Sequence, residues 1–222
     1  MKEYQLIIFD WDGTLMDSVG RIVSSMQKAA QATDLAVPSA SSVKDIIGLS
    51  LQVSMQRLFP QASDEQHKTL IQHYSNYYKH LDDTPTPLFS GIDRMMQQLY
   101  ASGKSLAVAT GKSRNGLERV LLETDMASLF CARRGADEAK SKPDPLMLQQ
   151  ILDELNMPTQ SAVMVGDSVH DLAMAQAIGM DSIGVTWGVH DKAMLKNHQP
   201  VAIVDSVIEL HQHLSGITLI QA

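Results

Sequence analysis

Cysteine is almost absent from this chain of 222 residues, which contains Cys131 and no other. A lone cysteine excludes an intrachain disulfide, a CxxC zinc site and a cysteine-bound iron–sulfur cluster. Long apolar runs are missing as well, since nothing approaches the ~18 consecutive apolar residues of a membrane span. The apolar run at residues 6–9 is too short for a secretory signal. We therefore expect a soluble protein of the reducing cytoplasm.

Positive charge is also scarce, with 18 lysines and arginines against 25 acidic residues and a net charge of -7. This balance excludes the broad basic surface that binds nucleic acid or anionic membranes. It does not exclude a small anionic substrate, because a bound cation can invert the charge of a local site. The 44% of hydrophobic residues indicates a packed globular fold rather than disorder.

Short apolar runs that end in polar turns predict strands buried on both faces, as in a parallel sheet. These runs lie at residues 6–9, 105–109, 162–165, 182–185 and 201–204. Apolar residues at helical spacing lie between them, at residues 92–100, 115–122, 145–155 and 172–178. The alternation of strand and helix predicts an α/β fold with a doubly wound parallel sheet.

Residues 16–84 break this alternation, because they contain several helical patterns and no strand-like run. The helical patterns cover residues 19–32, 43–47, 51–59 and 65–81, and residues 83–87 resemble a linker. We therefore predict two domains: an α/β core of residues 1–15 and 85–222, and a helical cap of residues 16–84 inserted after the first strand.

Two aspartates follow the first predicted strand, Asp10 and Asp12, with Gly13 supplying a tight turn. Strand periodicity places residues two apart on one side. Close carboxylates repel each other, and a cation between them relieves the repulsion. Oxygen ligands suit Mg²⁺. The alternative is a turn with two solvated aspartates.

A second motif, Thr110-Gly111-Lys112-Ser113, also follows a strand. Its hydroxyl and backbone N–H groups at a helix start suit a phosphate oxygen. The alternative is a plain helix N-cap. A Walker A loop is excluded, because Leu106 stands where that motif needs its first glycine.

Two further motifs carry charge near predicted strand or helix ends. In the first, Lys142 precedes two prolines that rigidify its loop, Pro143 and Pro145, and it can hold an anion; the alternative is a surface lysine. In the second, Asp167 and Asp171 flank a helix start and share a face. Asp167 would reach a cation, and Asp171 would be a ligand or orient Lys142. The alternative is helix capping by Asp167 or Ser168.

In this order, each near a strand end, the four motifs resemble those of the haloacid dehalogenase superfamily of phosphohydrolases. The resemblance covers the whole chain, and the cap position and the Lys142-Pro143-Asp144-Pro145 string are most similar to the phosphoglycolate phosphatase-like branch. It implies a Rossmann-like core with an inserted helical cap. It also implies that Asp10 is the nucleophile, forming an aspartyl-phosphate, and that Asp12 is the general acid and base.

The resemblance further implies a binding role for several residues. Thr110, Gly111 and Lys142 would hold the phosphoryl group. Mg²⁺ would be bound by the Asp10 carboxylate, the Asp12 backbone carbonyl and Asp167. Asp171 would be a metal ligand or lie just behind the ligands.

The implied function is a Mg²⁺-dependent phosphomonoesterase that acts on a small phosphorylated metabolite, such as phosphoglycolate or a sugar or nucleoside monophosphate. A dehalogenase is disfavoured, because that branch of the family lacks the second aspartate and this chain has Asp12. A phosphonate hydrolase is disfavoured as well, because that branch uses a cap lysine and residues 47–52 contain none, although Lys44 is nearby. A β-phosphoglucomutase is a closer alternative, but Leu49 and Ser50 stand where its cap carries an arginine. A binding module without activity is the alternative from another class. Nucleic acid and membranes are not expected as partners, and monomer and dimer both stay open.

Overall fold

The structure, a computed structural model, describes residues 2–216. Its strands are β1 (Leu6–Phe9), β2 (Ser105–Ala109), β3 (Ala132–Arg134), β4 (Ala162–Gly166), β5 (Asp181–Val185) and β6 (Ala202–Val204). They form one sheet in the order β3-β2-β1-β4-β5-β6, and every neighbouring pair is parallel. The predicted α/β fold with a parallel sheet is thereby confirmed. The strand order reverses beside β1, and ligands of such sheets bind at this point.

Helices lie between these strands and after the last of them. They are α1 (Val19–Ala32), α2 (Ala40–Lys44), α3 (Leu51–Leu58), α4 (Asp64–Asn76), α5 (Ile92–Ala101), α6 (Arg114–Glu123), α7 (Leu146–Leu155), α8 (Val169–Gln176), α9 (Lys192–Lys196) and α10 (Val207–Ser215). A single π-helical turn, Tyr77–Leu81, continues α4. Within the described residues, none of these helices is both long and apolar enough to cross a membrane.

The structure differs from the predicted elements in two places. The edge strand β3 was not predicted, because it has three residues and two of them are arginines. The helix predicted at residues 43–47 is wrong, since α2 begins at Ala40, where the Ser39 hydroxyl caps it by accepting a hydrogen bond from the Ser42 N–H. The chain then turns, and Gly48 at φ 96° accommodates the left-handed backbone that this turn requires.

Hydrophobic side chains among residues 2–216 form three clusters. Alternate residues of β1 point to opposite faces of the sheet, so Ile7 and Phe9 join one cluster while Leu6 and Ile8 join the other. The third cluster lies among α1–α4 and the π-helical turn, and includes Met26. Residues 16–84, called the helical segment below, thus have apolar packing of their own beside the sheet.

Candidate active site

The site lies at the carboxyl edge of the sheet, where three central strands end. Strand β1 pairs with β2 and β4 in register, so that Phe9 aligns with Val108 and with Val165. Asp10 follows β1, Thr110 follows β2 and Asp167 follows β4, and all three side chains are buried. The apolar strands therefore place polar groups together at an edge that water scarcely reaches.

Lys142 enters this edge from the loop between β3 and α7. Its Nζ lies 2.7 Å from Asp10 Oδ1 and 2.6 Å from Asp171 Oδ1. Burial acts to lower the pKa of the Lys142 ammonium, but the two carboxylates raise it above its usual range. Lys142 is therefore a buried cation shared by two carboxylates, and not the surface lysine that its sequence context also allowed.

Three carboxylates converge beside this cation. One oxygen each from Asp10, Asp167 and Asp171 lies within 4.8 Å of the others. Burial raises the pKa of Asp10 well above its usual range, although Lys142 lowers it. Burial and the neighbouring Asp171 raise the pKa of Asp167 to about 7. If all three carboxyl groups were ionised, the cluster would hold more negative charge than the one ammonium of Lys142 balances.

A divalent cation fits this arrangement. When ionised, the three carboxylates and Lys142 leave an excess of two negative charges, which Mg²⁺ would balance. Asp10 Oδ2 is buried and has no hydrogen-bond partner among residues 2–216. An unpartnered buried carboxylate oxygen is costly unless a cation or another ligand meets it, and carboxylate oxygens are the ligands that Mg²⁺ prefers.

Asp167 is held in place by both carboxylate oxygens. The Thr14 hydroxyl donates to Oδ1 at 2.7 Å, and the Val189 N–H donates to Oδ2 at 2.8 Å. Gly13 and Gly188 lie so close that a Cβ at either position would overlap this carboxylate. The small residues of two loops are therefore needed for Asp167 to occupy the site.

Asp171 has partners on both oxygens. Its Oδ1 accepts from Lys142, and its Oδ2 accepts from the Ser168 hydroxyl at 2.7 Å and the Ser168 N–H at 3.2 Å. Ser168 caps α8, and Asp171 completes a capping box with it. The capping interpretation thus holds for Ser168, and Asp171 contacts Lys142 while also facing Asp10 and Asp167.

Asp12 lies beside this cluster and contacts two residues that were not singled out as site residues. Its Oδ1 accepts a short hydrogen bond from the Ser18 hydroxyl and lies 2.9 Å from Lys112 Nζ. Lys112 Nζ also lies 3.2 Å from the Tyr78 hydroxyl and 4.9 Å from the centre of the Tyr78 ring. Lys112 stands inside the second motif and Ser18 lies six residues after Asp12, but local spacing does not show that either contacts Asp12.

The helical segment lies directly over the second motif. Gly111 faces the backbone carbonyls of Gly48 and Leu49, and a Cβ at Gly111 would lie 2.5 Å from the Leu49 oxygen. The Ser50 N–H donates to the Ser141 hydroxyl at 2.8 Å. The Thr110 hydroxyl accepts from the Lys112 N–H at 3.2 Å. Residues 48–50 therefore cover one side of the site.

A cavity of about 350 Å³ lies between the sheet edge and the helical segment. Asp12, Gly111 and Lys112 line it on the sheet side, and Leu49 and Tyr78 line it on the helical side. The cavity therefore adjoins the carboxylate of Asp12 and offers space for a small molecule next to the charged cluster.

This chain belongs to the haloacid dehalogenase-like hydrolases, because the model of that family matches residues 7–185. The resemblance seen in the sequence motifs is confirmed. The protein is therefore a hydrolase of this family, and the relatives named as phosphatases support an enzyme.

Individual proteins are similar to this chain over most of its length. The chain is 34% identical over 209 residues to the probable phosphatase IndB of Dickeya dadantii, covering 92% of this chain and 91% of the relative. It is 28% identical over 215 residues to the phosphoglycolate phosphatase of Vibrio cholerae, covering 93% and 95%. The crystal structure of a predicted phosphatase from Clostridium acetobutylicum superposes with a TM-score of 0.86 at 29% identity, covering 97% of this chain and 100% of the other.

Proposed function

We propose that this protein is a Mg²⁺-dependent phosphomonoesterase that forms an aspartyl-phosphate on Asp10. The observation that carries the proposal is the buried, unpartnered Oδ2 of Asp10, in a carboxyl group held by Lys142 and faced by Asp167. A carboxylate with one free oxygen beside a cation suits nucleophilic attack on a phosphorus atom. The relatives named as phosphatases support the same class of reaction.

Asp10 and Asp167 would hold Mg²⁺ through their carboxylates, and Asp12 through its backbone carbonyl. When bound, the ion neutralises charge that develops on the phosphoryl oxygens. Asp171, with both oxygens already hydrogen-bonded, would act mainly by orienting Lys142. Lys142, Thr110 and Gly111 would position the phosphoryl group.

In the first step, an Asp10 oxygen attacks phosphorus and the bond from phosphorus to the ester oxygen breaks. Asp12 donates a proton to the departing oxygen, which leaves as an alcohol. In the second step, Asp12 accepts a proton from water, whose oxygen attacks phosphorus. The bond between phosphorus and Asp10 breaks, and inorganic phosphate is released. General acid–base catalysis of this kind contributes about 10²–10⁴-fold.

We further propose that residues 16–84 act as a cap on a core of residues 1–15 and 85–222. The cap would exclude water from the site and select the leaving group. Phosphoglycolate, sugar monophosphates and nucleoside monophosphates are the candidate substrates. A cytoplasmic location and the absence of nucleic-acid and membrane partners stay predictions from the sequence.

The proposal is tested by hydrolysis of p-nitrophenyl phosphate with Mg²⁺, with EDTA, and with the Asp10→Asn variant. EDTA and the substitution should each lower the rate by at least about 10³-fold. The Asp153→Asn variant, which changes an exposed carboxylate on α7, should retain the parent rate. An Asp10→Asn variant within tenfold of the parent would refute the assignment of the nucleophile.

A further inference from the structure

We infer that the leaving group of the natural substrate is a ring-bearing alcohol, as in a sugar or nucleoside monophosphate, and not a two-carbon acid. The inference rests on the proposed phosphomonoesterase function and narrows its substrate class. It is drawn from the cavity that adjoins Asp12 and Lys112, and from the residues that line it.

The size of the cavity is the first observation. Its volume of about 350 Å³ is within the range of roughly 300–1,000 Å³ of pockets that enclose small-molecule ligands. A water molecule takes about 30 Å³ in the liquid, so the cavity has room for about a dozen water molecules. Of the residues proposed to hold the phosphoryl group, Gly111 lines the cavity while Thr110 and Lys142 do not. A two-carbon leaving group would therefore leave most of this space to water.

The apolar wall of the cavity is the second observation. Ile22, Met26 and Leu49 are buried aliphatic residues of the helical segment that line it. Tyr74 and Tyr78 line it as well and stack on each other, with 5.8 Å between ring centres. Such a wall gains nothing from a carboxylate, which loses water on burial. Burial of apolar surface is favourable when one face of a ring packs against this wall.

Arg119 supplies the third observation. Its Nη1 pairs with Glu123 at 2.8 Å, but its buried Nε has no hydrogen-bond partner within residues 2–216. Arg119 lines the cavity together with the polar residues Ser50 and Gln52. The guanidinium of Arg119, the hydroxyl of Ser50 and the amide of Gln52 can each donate a hydrogen bond to a hydroxyl or carbonyl oxygen of a ligand. The lining thus matches a leaving group with one apolar face and several acceptor oxygens, which a sugar ring and a nucleoside both have.

The first test compares kcat/KM for 2-phosphoglycolate, ribose 5-phosphate and adenosine 5′-monophosphate with Mg²⁺. At least one ring-bearing ester should exceed phosphoglycolate by about tenfold or more, since each additional group packed in an apolar pocket is worth a factor of this order. Whichever of ribose 5-phosphate and adenosine 5′-monophosphate has the higher kcat/KM indicates whether the leaving group is a sugar or a nucleoside. A smaller advantage, or a preference for phosphoglycolate, overturns the inference while leaving the phosphomonoesterase intact. Loss of all activity, on p-nitrophenyl phosphate as well, would instead refute the proposed function.

The second test obstructs the cavity from the exposed face of α3. Gln52 lines the cavity and Gln56, one turn later on the same helix, does not. Gln52→Trp should lower kcat/KM for the preferred ring-bearing ester by about tenfold more than for phosphoglycolate. Gln56→Trp, the matched control, should leave all rates at the parent level. Equal losses for small and large esters in Gln52→Trp would show that ring-bearing leaving groups do not use this cavity.

Discussion

Lys112 forms an ion pair with Asp12, with 2.9 Å between Nζ and Oδ1, across the carboxyl edge of the sheet. Burial acts to lower the pKa of the Lys112 ammonium, but Asp12 and Tyr78 raise it above its usual range. Tyr78 belongs to the helical segment. The Lys112 ammonium therefore contacts both Asp12, the proposed acid–base group, and the helices that cover the site. We regard Lys112 as a positioning residue that fixes the Asp12 carboxylate beside the cavity.

Replacing Lys112 by methionine should lower kcat by about ten- to hundredfold, since a misplacement of about 1 Å at a reacting group has an effect of this size. Lys112→Arg should restore part of the rate, because it keeps a cation near Asp12. Lys104→Met is the control, since Lys104 pairs with exposed Glu3 away from the site. Parent-like kcat in Lys112→Met would show that the ion pair does not position Asp12.

Binding of Mg²⁺ should raise the melting temperature, because a ligand that binds the folded state stabilises it. Asp167→Asn should remove most of this shift, while Asp153→Asn should retain it. Differential scanning fluorimetry with Mg²⁺ and with EDTA measures both. A full Mg²⁺ shift in Asp167→Asn would mean that the ion binds elsewhere.

Lys142→Met should destabilise the fold by about 3–5 kcal/mol, because it leaves the carboxylates of Asp10 and Asp171 buried without their cation. Adding Asp171→Asn to this variant should recover part of the loss, since one uncompensated charge is then removed. Urea denaturation in EDTA gives the free energies of unfolding. If Lys142→Met unfolds at the same urea concentration as the parent, the buried charges are compensated by some other group.

The contacts of Asp82, which lies outside the candidate site, predict that the stability of the fold depends on pH. Asp82 ends the π-helical turn, and its carboxylate accepts from the Thr84 N–H and Lys28 Nζ, both at 3.1 Å. Burial acts to raise the pKa of Asp82, but these hydrogen bonds hold it below its usual range. A lowered pKa contributes stability that is present above the unfolded value of about 3.9 and is lost as pH falls through the folded value.

Asp82→Asn should therefore cost about 1–3 kcal/mol at neutral pH, and the difference from the parent should shrink below pH of about 4. Urea denaturation across this pH range measures both effects, with exposed Asp83→Asn as the matched control. A difference that stays constant with pH would assign the loss to packing instead of charge.

Sequence reasoning found the central strands because their apolar runs are buried on both faces and end in polar turns. It missed β3 because charge hides its burial: Arg133 pairs with Glu118 at 2.8 Å, and Arg134 with Glu154. Those partners lie on helices α6 and α7, and local patterns do not show which helices will pack against a strand. A different, local reason explains the wrong start of α2, where capping by Ser39 outweighed the apolar spacing of residues 43–47.

The sequence likewise predicts some residues of the candidate site but not the contacts across its cavity. Motif spacing brought out Asp10, Asp12 and Asp167, since each follows a strand whose end the sequence marks. Contacts across the cavity, such as that of Lys112 with Tyr78, depend on how the helical segment sits on the sheet. The cavity itself, and with it the size of the leaving group, is formed by side chains far apart in the chain and has no local signature.

The central claim is that Asp10 becomes phosphorylated during turnover. The most direct measurement is mass spectrometry of peptides from acid-quenched Asp12→Asn protein after mixing with p-nitrophenyl phosphate and Mg²⁺. This leaving group departs without a proton, whereas the second step needs the base, so the intermediate should accumulate. The account predicts one added phosphoryl group on Asp10, absent when Asp10→Asn is also introduced. A phosphoryl group on another residue, or none despite phenol release in a burst, would contradict it.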